Sequence, residues 1–275
     1  ILRWAFVVAA GASLAGTAGA APSLVVVIAI DQFRGDYLER FREHYVADGF
    51  NRLRREGAVL TDCRYRHAVT KTACGHAVIL TGVHANVHGI ISNAWVDRAT
   101  LKRGNCVEDD QVQILGLPDV RGGARLPGAT VPLGASPRRL LASTVGDMLK
   151  ISSQGRSKVI GISSKDRSAV LLAGKLGDAA YWMEKGGIVT STYYMRELPA
   201  WVRRFNESGR VEAFFGKTWD RILPAAAYER LMGRDDAPGE GDSLGLGPTF
   251  PKVVNGGTAR LGPAFYEAFE YSPFK

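Results

Sequence analysis

The strongest constraint on the fold is a repeated switch between unbroken apolar runs and segments with helical spacing. The run "SLVVVIAID", ending at Asp31, is rich in β-branched residues and does not alternate, which is the pattern of a strand covered on both faces. It leads into "DYLERFREHYVADGFNRLRREG", where Tyr37, Leu38, Phe41, Tyr45, Phe50 and Leu53 recur at broadly helical spacing before Gly57. "AVLTDCRYRHAVT" has room for a short second strand, and "ACGHAVILTG" reads as a helix ended by Gly82. A second alternation follows, with a helix in "RLLASTVGDMLKISSQG" and a strand in "SKVIGISS". "AVLLAG" and "DAAYWME" continue it, and "GIVTSTYY" reads as another strand. Together these predict an α/β fold with a mostly parallel central sheet and helices on both of its faces. Over residues 198–275 the texture changes to scattered tryptophans and the loop-like "GRDDAPGEGDSLGLGPTFPK", so an irregular insertion packed over the site is expected there.

At 275 residues, 46% of them hydrophobic, the chain can bury a large core as one large domain or two small ones. A formal charge of +8 favours anionic ligands, although a basic surface without a specific partner fits equally. No lysine-rich tail or aromatic–basic alternation is present, so nucleic acid is not the expected partner. The start "ILRWAFVVAAGASLAGTAGAAPS" has one early arginine, a short apolar run and small residues, as in a secretory leader cleaved near Ala20 or Ala21. Residues 1–21 are therefore read as a signal peptide, with export to the periplasm or beyond and no stable membrane insertion after cleavage. Cys63, Cys74 and Cys106 allow at most one disulfide, and the sequence does not choose the pair. A first residue of Ile1 and a final "FEYSPFK" without a cap read as a piece of a longer product.

The chemistry-bearing residues sit where such a fold gathers ligands. Asp31 closes one apolar run, and Lys165 and Arg167 follow another, positions that in an open α/β sheet lie beyond the carboxyl ends of strands. Thr72 opens the helix "TACGHAVILTG", where unpaired N–H groups and the helix dipole favour negative charge. A threonine at that point is ordinarily a helix cap; a carboxylate, a hydroxyl, two cations and a helix start in one pocket would suit an oxyanion such as phosphate. Thr72 is accordingly expected to cap its helix and also to act as a nucleophile, for which it needs an activator such as a metal ion held by Asp31. Cys74 is expected to pack against the sheet.

The ordered segments "VVVIAIDQFRGDY", "TKTACGHAVILTG", "HGIISNAWVDR", "GISSKDRSAVLLAG", "TSTYYMRELPAWVRRFN" and "FEYSPF" resemble the alkaline phosphatase superfamily. Within it they are most similar to secreted PafA-type phosphatases with a threonine nucleophile, relatives of the nucleotide pyrophosphatase/phosphodiesterases. The resemblance implies an alkaline-phosphatase-like fold, residues 22–197 being the N-terminal part of the domain and 198–275 an insertion in it. It implies zinc-dependent hydrolysis of small phosphate monoesters through a phosphothreonine at Thr72, with Asp31 and the Thr72 oxygen on a zinc pair. Asn93 would donate to a phosphoryl oxygen, Lys165 and Arg167 would grip the remaining oxygens, and His76 would pack and hydrogen-bond rather than bind zinc. The family's further Asp and His ligands, including an adjacent Asp-His pair, have no counterpart in this sequence, whose last histidine is His88. The 275-residue chain by itself is thus expected to bind zinc weakly and turn over little. The alternatives are a phosphodiesterase or nucleotide pyrophosphatase on the same scaffold, and a non-catalytic anion-binding α/β module.

Overall fold

The computed structural model describes residues 22–117, 133–238, 241–242 and 244–275, and the chain divides into two compact units, residues 1–68 and 69–275. The expected leader, residues 1–21, lies outside the described residues.

In the first unit, the helical spacing after Asp31 gives short pieces rather than one helix. They are α1 (Tyr37–Arg40), a 3-10 turn at Arg42–His44, and α2 (Phe50–Glu56). Such short helices are marginal alone, and aromatic rings hold them together. Phe33 stacks on Phe50 at 5.2 Å, and Tyr37 meets Phe41 at 4.9 Å. Arg54 of α2 donates to the Leu38 carbonyl at 2.7 Å and pairs with Glu39, which ties α2 to α1 beside buried Leu38. The run "SLVVVIAID" departs from its expectation. No strand pairs with it among the described residues, and its side chains are exposed, Leu24 at 77% and Ile28 at 63%. Nor does "AVLTDCRYRHAVT" form a strand. An apolar β-branched run carries propensity, but a strand exists only where a neighbour takes up its backbone N–H and C=O groups.

The second unit opens with α3 (Thr72–Thr81), ended as predicted by Gly82 in the left-handed conformation at φ 70°. Next come α4 (Ala85–His88) and a ribbon of β1 (Ala94–Val96) against β2 (Arg103–Asn105). Beyond them lie β3 (Glu108–Leu115), β4 (Leu133–Ala135), α5 (Val145–Ser152), β5 (Ile160–Ile162), α6 (Asp166–Ala173), β6 (Ala179–Glu184) and β7 (Gly187–Ser191). Five of these strands form a sheet in the order β4-β3-β7-β6-β5. The α/β architecture is as expected, but this sheet is mixed: β5 and β6 run parallel through α6, and the other neighbours are antiparallel. The reason is local. Only Lys185 and Gly186 separate β6 from β7, and both have positive φ, at 51° and 81°. Two such residues make a tight hairpin, which can join only antiparallel strands.

β6 sits at the centre of the core. Its Ala180 and Trp182 pack with Ala73 and Ala77 of α3 and with Ala169, Val170, Leu171 and Ala173 of α6. Its alternate residues, Ala179 and Tyr181, pack instead with Val202 of α7 (Ala200–Asn206). Successive strand residues point to opposite faces, so helices do cover both faces here. Alanines at the α3–α6 contact keep those helices close, which brings their N-terminal ends into one neighbourhood. Gly161 of β5 lies against α6, where a methyl group would enter the space of the Ala169 carbonyl and the Ala173 side chain. Gly161→Ala is expected to destabilise the protein by about 1–3 kcal/mol, measured as a lower midpoint of urea unfolding. An unchanged midpoint would contradict this packing.

Residues 198–275 are more ordered than an irregular insertion. β8 (Lys217–Trp219) pairs with β9 (Lys252–Val254), with α8 (Ala225–Met232) between them and α9 (Pro263–Glu270) after them. Pro263 starts α9, and Phe265 and Phe269, one turn apart, join Val211, Val254 and Ala268 in a separate apolar cluster. Met183 of β6 packs against that cluster. Cys63, Cys74 and Cys106 are free thiols.

Candidate active site

The start of α3 is built differently from the sequence expectation. The residue before the helix, Lys71, holds the cap position, and no side chain of the cap residue bonds to the helix. Thr72 is the first helical residue, so it is not the cap. The task falls to Asn93, remote in sequence, whose Oδ1 accepts from the Ala73 N–H at 2.9 Å. A cap oxygen must come from outside the first turn to meet its N–H groups, and Asn93 reaches them from the loop before β1. With Oδ1 committed to an N–H donor, the amide orientation is settled, and Nδ2 is the donor side of Asn93. His76, buried to 6% exposure, places Nδ1 at 2.7 Å from the Thr72 carbonyl. A carbonyl only accepts, so Nδ1 carries the proton. His76 thus braces the first turn of α3, in the hydrogen-bonding role expected for it. Cys74 is buried on the same helix.

Asn93 is held in turn by the β2–β3 turn, where Cys106 N–H donates to its carbonyl at 3.0 Å. The next residue back, Asn105, reaches α6: its Nδ2 donates to Asp166 Oδ2 at 2.7 Å. Asp166 opens α6, and its Oδ1 accepts from Arg167 N–H at 2.6 Å. One string of bonds therefore runs from the start of α3 through Asn93, Cys106 and Asn105 to the start of α6. Lys165 precedes α6 at the end of the connection from β5, the carboxyl end of a parallel strand, as predicted. Its ammonium lies 5.4 Å from the Tyr271 ring, a cation–π contact supplied by the segment after α9. Residues 198–275 thus contribute directly to this neighbourhood.

The electrostatics around Lys165 and Arg167 are mixed. Glu184 is pushed above the usual carboxyl range, mainly by burial, with Asp166 adding to the rise and Lys185 opposing it. Glu270 is pushed the same way by burial and then by Glu184, while its Oε1 accepts from Lys185 N–H at 3.2 Å. Burial, and after it Lys165, lowers Lys275. Arg167 is 19% exposed, and its Nε is buried without a hydrogen-bond partner among the described residues.

The sequence reading missed three residues of this neighbourhood. Lys71 lies beside Thr72, with Nζ 3.4 Å from Ser92 Oγ, and adds a third cation. Asp166 was passed over between its two cationic neighbours, and Asn105 carried no motif at all. The acidic residue in "KDR" at a helix start was the available signal for Asp166; for Asn105 there was none. Asp31 belongs to the first unit and ends the apolar run at a turn, where Gln32 has φ 59°. Two zinc ions would need several nitrogen and oxygen donors. Among the described residues no three His, Cys, Asp or Glu side chains gather to hold a metal ion. The described residues do not by themselves make a zinc centre.

A family model described as Type I phosphodiesterase / nucleotide pyrophosphatase matches residues 25–223. A protein of Myroides odoratus named calcium-transporting ATPase is 37% identical over 84% of this chain and 40% of its own length. Alkaline phosphatase PhoV of Synechococcus elongatus is 38% identical over 76% of this chain and 36% of its own. Alkaline phosphatase PafA of Elizabethkingia meningoseptica is 36% identical over 84% and 41%. The crystal structure of wild-type PafA superposes with a TM-score of 0.72 at 34% identity, covering 82% of this chain and 42% of that one. A PafA mutant with a threonine, an asparagine, a lysine and an arginine all replaced matches with a TM-score of 0.71 at 33% identity. The chain thus spans about two fifths of the length of the relatives it matches. It shares their α/β fold over the matched part, with the mixed sheet described above. By the match over residues 25–223, the chain belongs to the type I phosphodiesterase / nucleotide pyrophosphatase family.

Proposed function

We propose that this protein hydrolyses small phosphate monoesters through a phosphothreonine at Thr72. The observation that carries the reading is the string of bonds that joins the start of α3 to the start of α6, with Lys165 and Arg167 at its far end. The named relatives PhoV and PafA, both alkaline phosphatases, support it. So does the PafA mutant, whose replaced threonine and asparagine are spaced as Thr72 and Asn93 are, and whose lysine and arginine are spaced as Lys165 and Arg167 are.

In this reading the dianionic phosphoryl group lies against the N–H groups at the start of α3, whose dipole favours negative charge. Asn93 Nδ2 donates to one phosphoryl oxygen, and Lys165 and Arg167 take the others. The Thr72 hydroxyl loses its proton and its oxygen bonds to phosphorus as the ester P–O bond breaks, and the leaving oxygen takes up one proton from solvent to depart as an alcohol. Water then cleaves the phosphothreonine, releasing inorganic phosphate and restoring the hydroxyl. A monoester carries one more anionic oxygen than a diester, and two cations aimed there stabilise its transition state selectively. Zinc belongs to this reading through the family resemblance, which implies Asp31 and the Thr72 oxygen as donors, and so does export to the periplasm or medium, from the leader at residues 1–21. No helix among the described residues is long and apolar enough to cross a membrane.

The test is direct. The complete gene product is quenched in acid during turnover of a labelled aryl phosphate and then digested. Label is expected on the peptide containing residues 69–82. Steady turnover with no label on that peptide under any quench time would overturn the reading.

A further inference from the structure

We propose that Asn105 is a positioning residue for Arg167, acting by holding Asp166 so that its carboxylate cannot close over the guanidinium. The inference rests on the phosphate-binding reading above and adds the device that keeps one of its cations available.

The difficulty it resolves is chemical. Asp166 stands between Lys165 and Arg167, and a carboxylate beside an arginine tends to form a two-pronged pair with it. Such a pair would satisfy Arg167 internally and leave little of its charge for a substrate. That pairing is only partial here. Asp166 Oδ1 takes Arg167 N–H at 2.6 Å and stands 3.5 Å from Nη1, at the long limit of a hydrogen bond. The other oxygen, Oδ2, is turned away and accepts from Asn105 Nδ2 at 2.7 Å. Arg167 Nε is buried with no hydrogen-bond partner among the described residues. A buried donor without a partner is costly, and Asp166 does not supply that partner.

The amide of Asn105 is itself fixed in the orientation this needs. Its Oδ1 lies 3.3 Å from both the Val107 N–H and the Cys106 thiol, which donate to it. An amide with its oxygen bound to donors must present its NH₂ on the other side, toward Asp166. The backbone is pinned as well, since Arg139 donates to the Asn105 carbonyl at 2.7 Å and stacks at 5.5 Å over Trp95 of the paired strand β1. Asn105 is therefore a rigid donor aimed at one carboxylate oxygen. With that donor removed, Asp166 is at liberty to rotate and engage Arg167 with both oxygens.

The experiment measures binding of inorganic phosphate to the complete gene product by titration calorimetry. Arg167→Ala is the reference and is expected to weaken phosphate binding. Asn105→Ala is expected to weaken it about tenfold, the scale of one charge-assisted hydrogen bond. The double variant Asn105→Ala with Asp166→Asn is expected to recover most of that loss, because a neutral amide does not clamp the guanidinium. A merely structural asparagine predicts instead a double variant that binds no more tightly than Asn105→Ala once the effect of Asp166→Asn alone, measured as the control, is subtracted. If Asn105→Ala does not fold, Asn105→Ser takes its place; it retains a polar oxygen but is too short to reach Asp166. Unchanged binding in the Asn105 variant, or no recovery in the double variant, overturns the inference while leaving the phosphate site intact. Unchanged binding in Arg167→Ala, or no binding by the parent protein, instead overturns the proposed function, and this inference with it.

Discussion

Thr72→Ala is expected to lower turnover of an aryl phosphate monoester by the complete gene product on the order of 10³-fold or more, the scale of removing a covalent nucleophile. Thermal stability should change little, by less than about 1 kcal/mol. The two readouts separate the roles a threonine can have at a helix start. Had the hydroxyl been the cap, its loss would cost about 1 kcal/mol or more of stability. The cap position belongs to Lys71, and the Ala73 N–H is met by Asn93. Alanine is also the best helix former, which suits a first-turn position. Thr72→Ser, which keeps a hydroxyl, should retain measurable turnover and still accept the phosphoryl label. Turnover of Thr72→Ala within about tenfold of the parent would remove threonine from the chemistry.

Lys165→Ala and Arg167→Ala are each expected to reduce monoester turnover by about 10²- to 10³-fold, the range seen when one preorganised charge-stabilising donor is lost. Cleavage of an aryl diester by the same variants should fall much less, since a diester lacks the second anionic oxygen. The comparison is needed because the matching family model carries phosphodiesterase in its description. Equal losses on both substrates would favour the diesterase reading. Lys165 also rests against Tyr271 and near Glu270, so its variant is to be checked for folding, whereas Arg167 packs against its own helix start.

Much of the α/β pattern was legible in the sequence, for identifiable reasons. "ACGHAVILTG" became α3 and stopped at Gly82 because a left-handed helix end suits glycine. "SKVIGISS" and "DAAYWME" became the parallel pair β5 and β6, since the helix between them is long enough for a crossover. The parallel rule failed at "GIVTSTYY", where the two-residue link at Lys185–Gly186 imposed a hairpin. It failed again at "SLVVVIAID", which has strand chemistry but no strand neighbour among the described residues. The free thiols gave no help in either direction.

Whereas the asparagine downstream came from the family resemblance, sequence pattern alone marked a threonine at a helix start and two cations after a strand as candidates. Those depend on spacing along the chain, and local spacing survives folding. Only the tertiary structure decided how they are wired. Asn93 caps a helix twenty residues away, and Asn105 reaches Asp166 across sixty-one. Such contacts follow from β2 and α6 packing near the start of α3, and no local pattern encodes a partner that folding brings in from elsewhere in the chain.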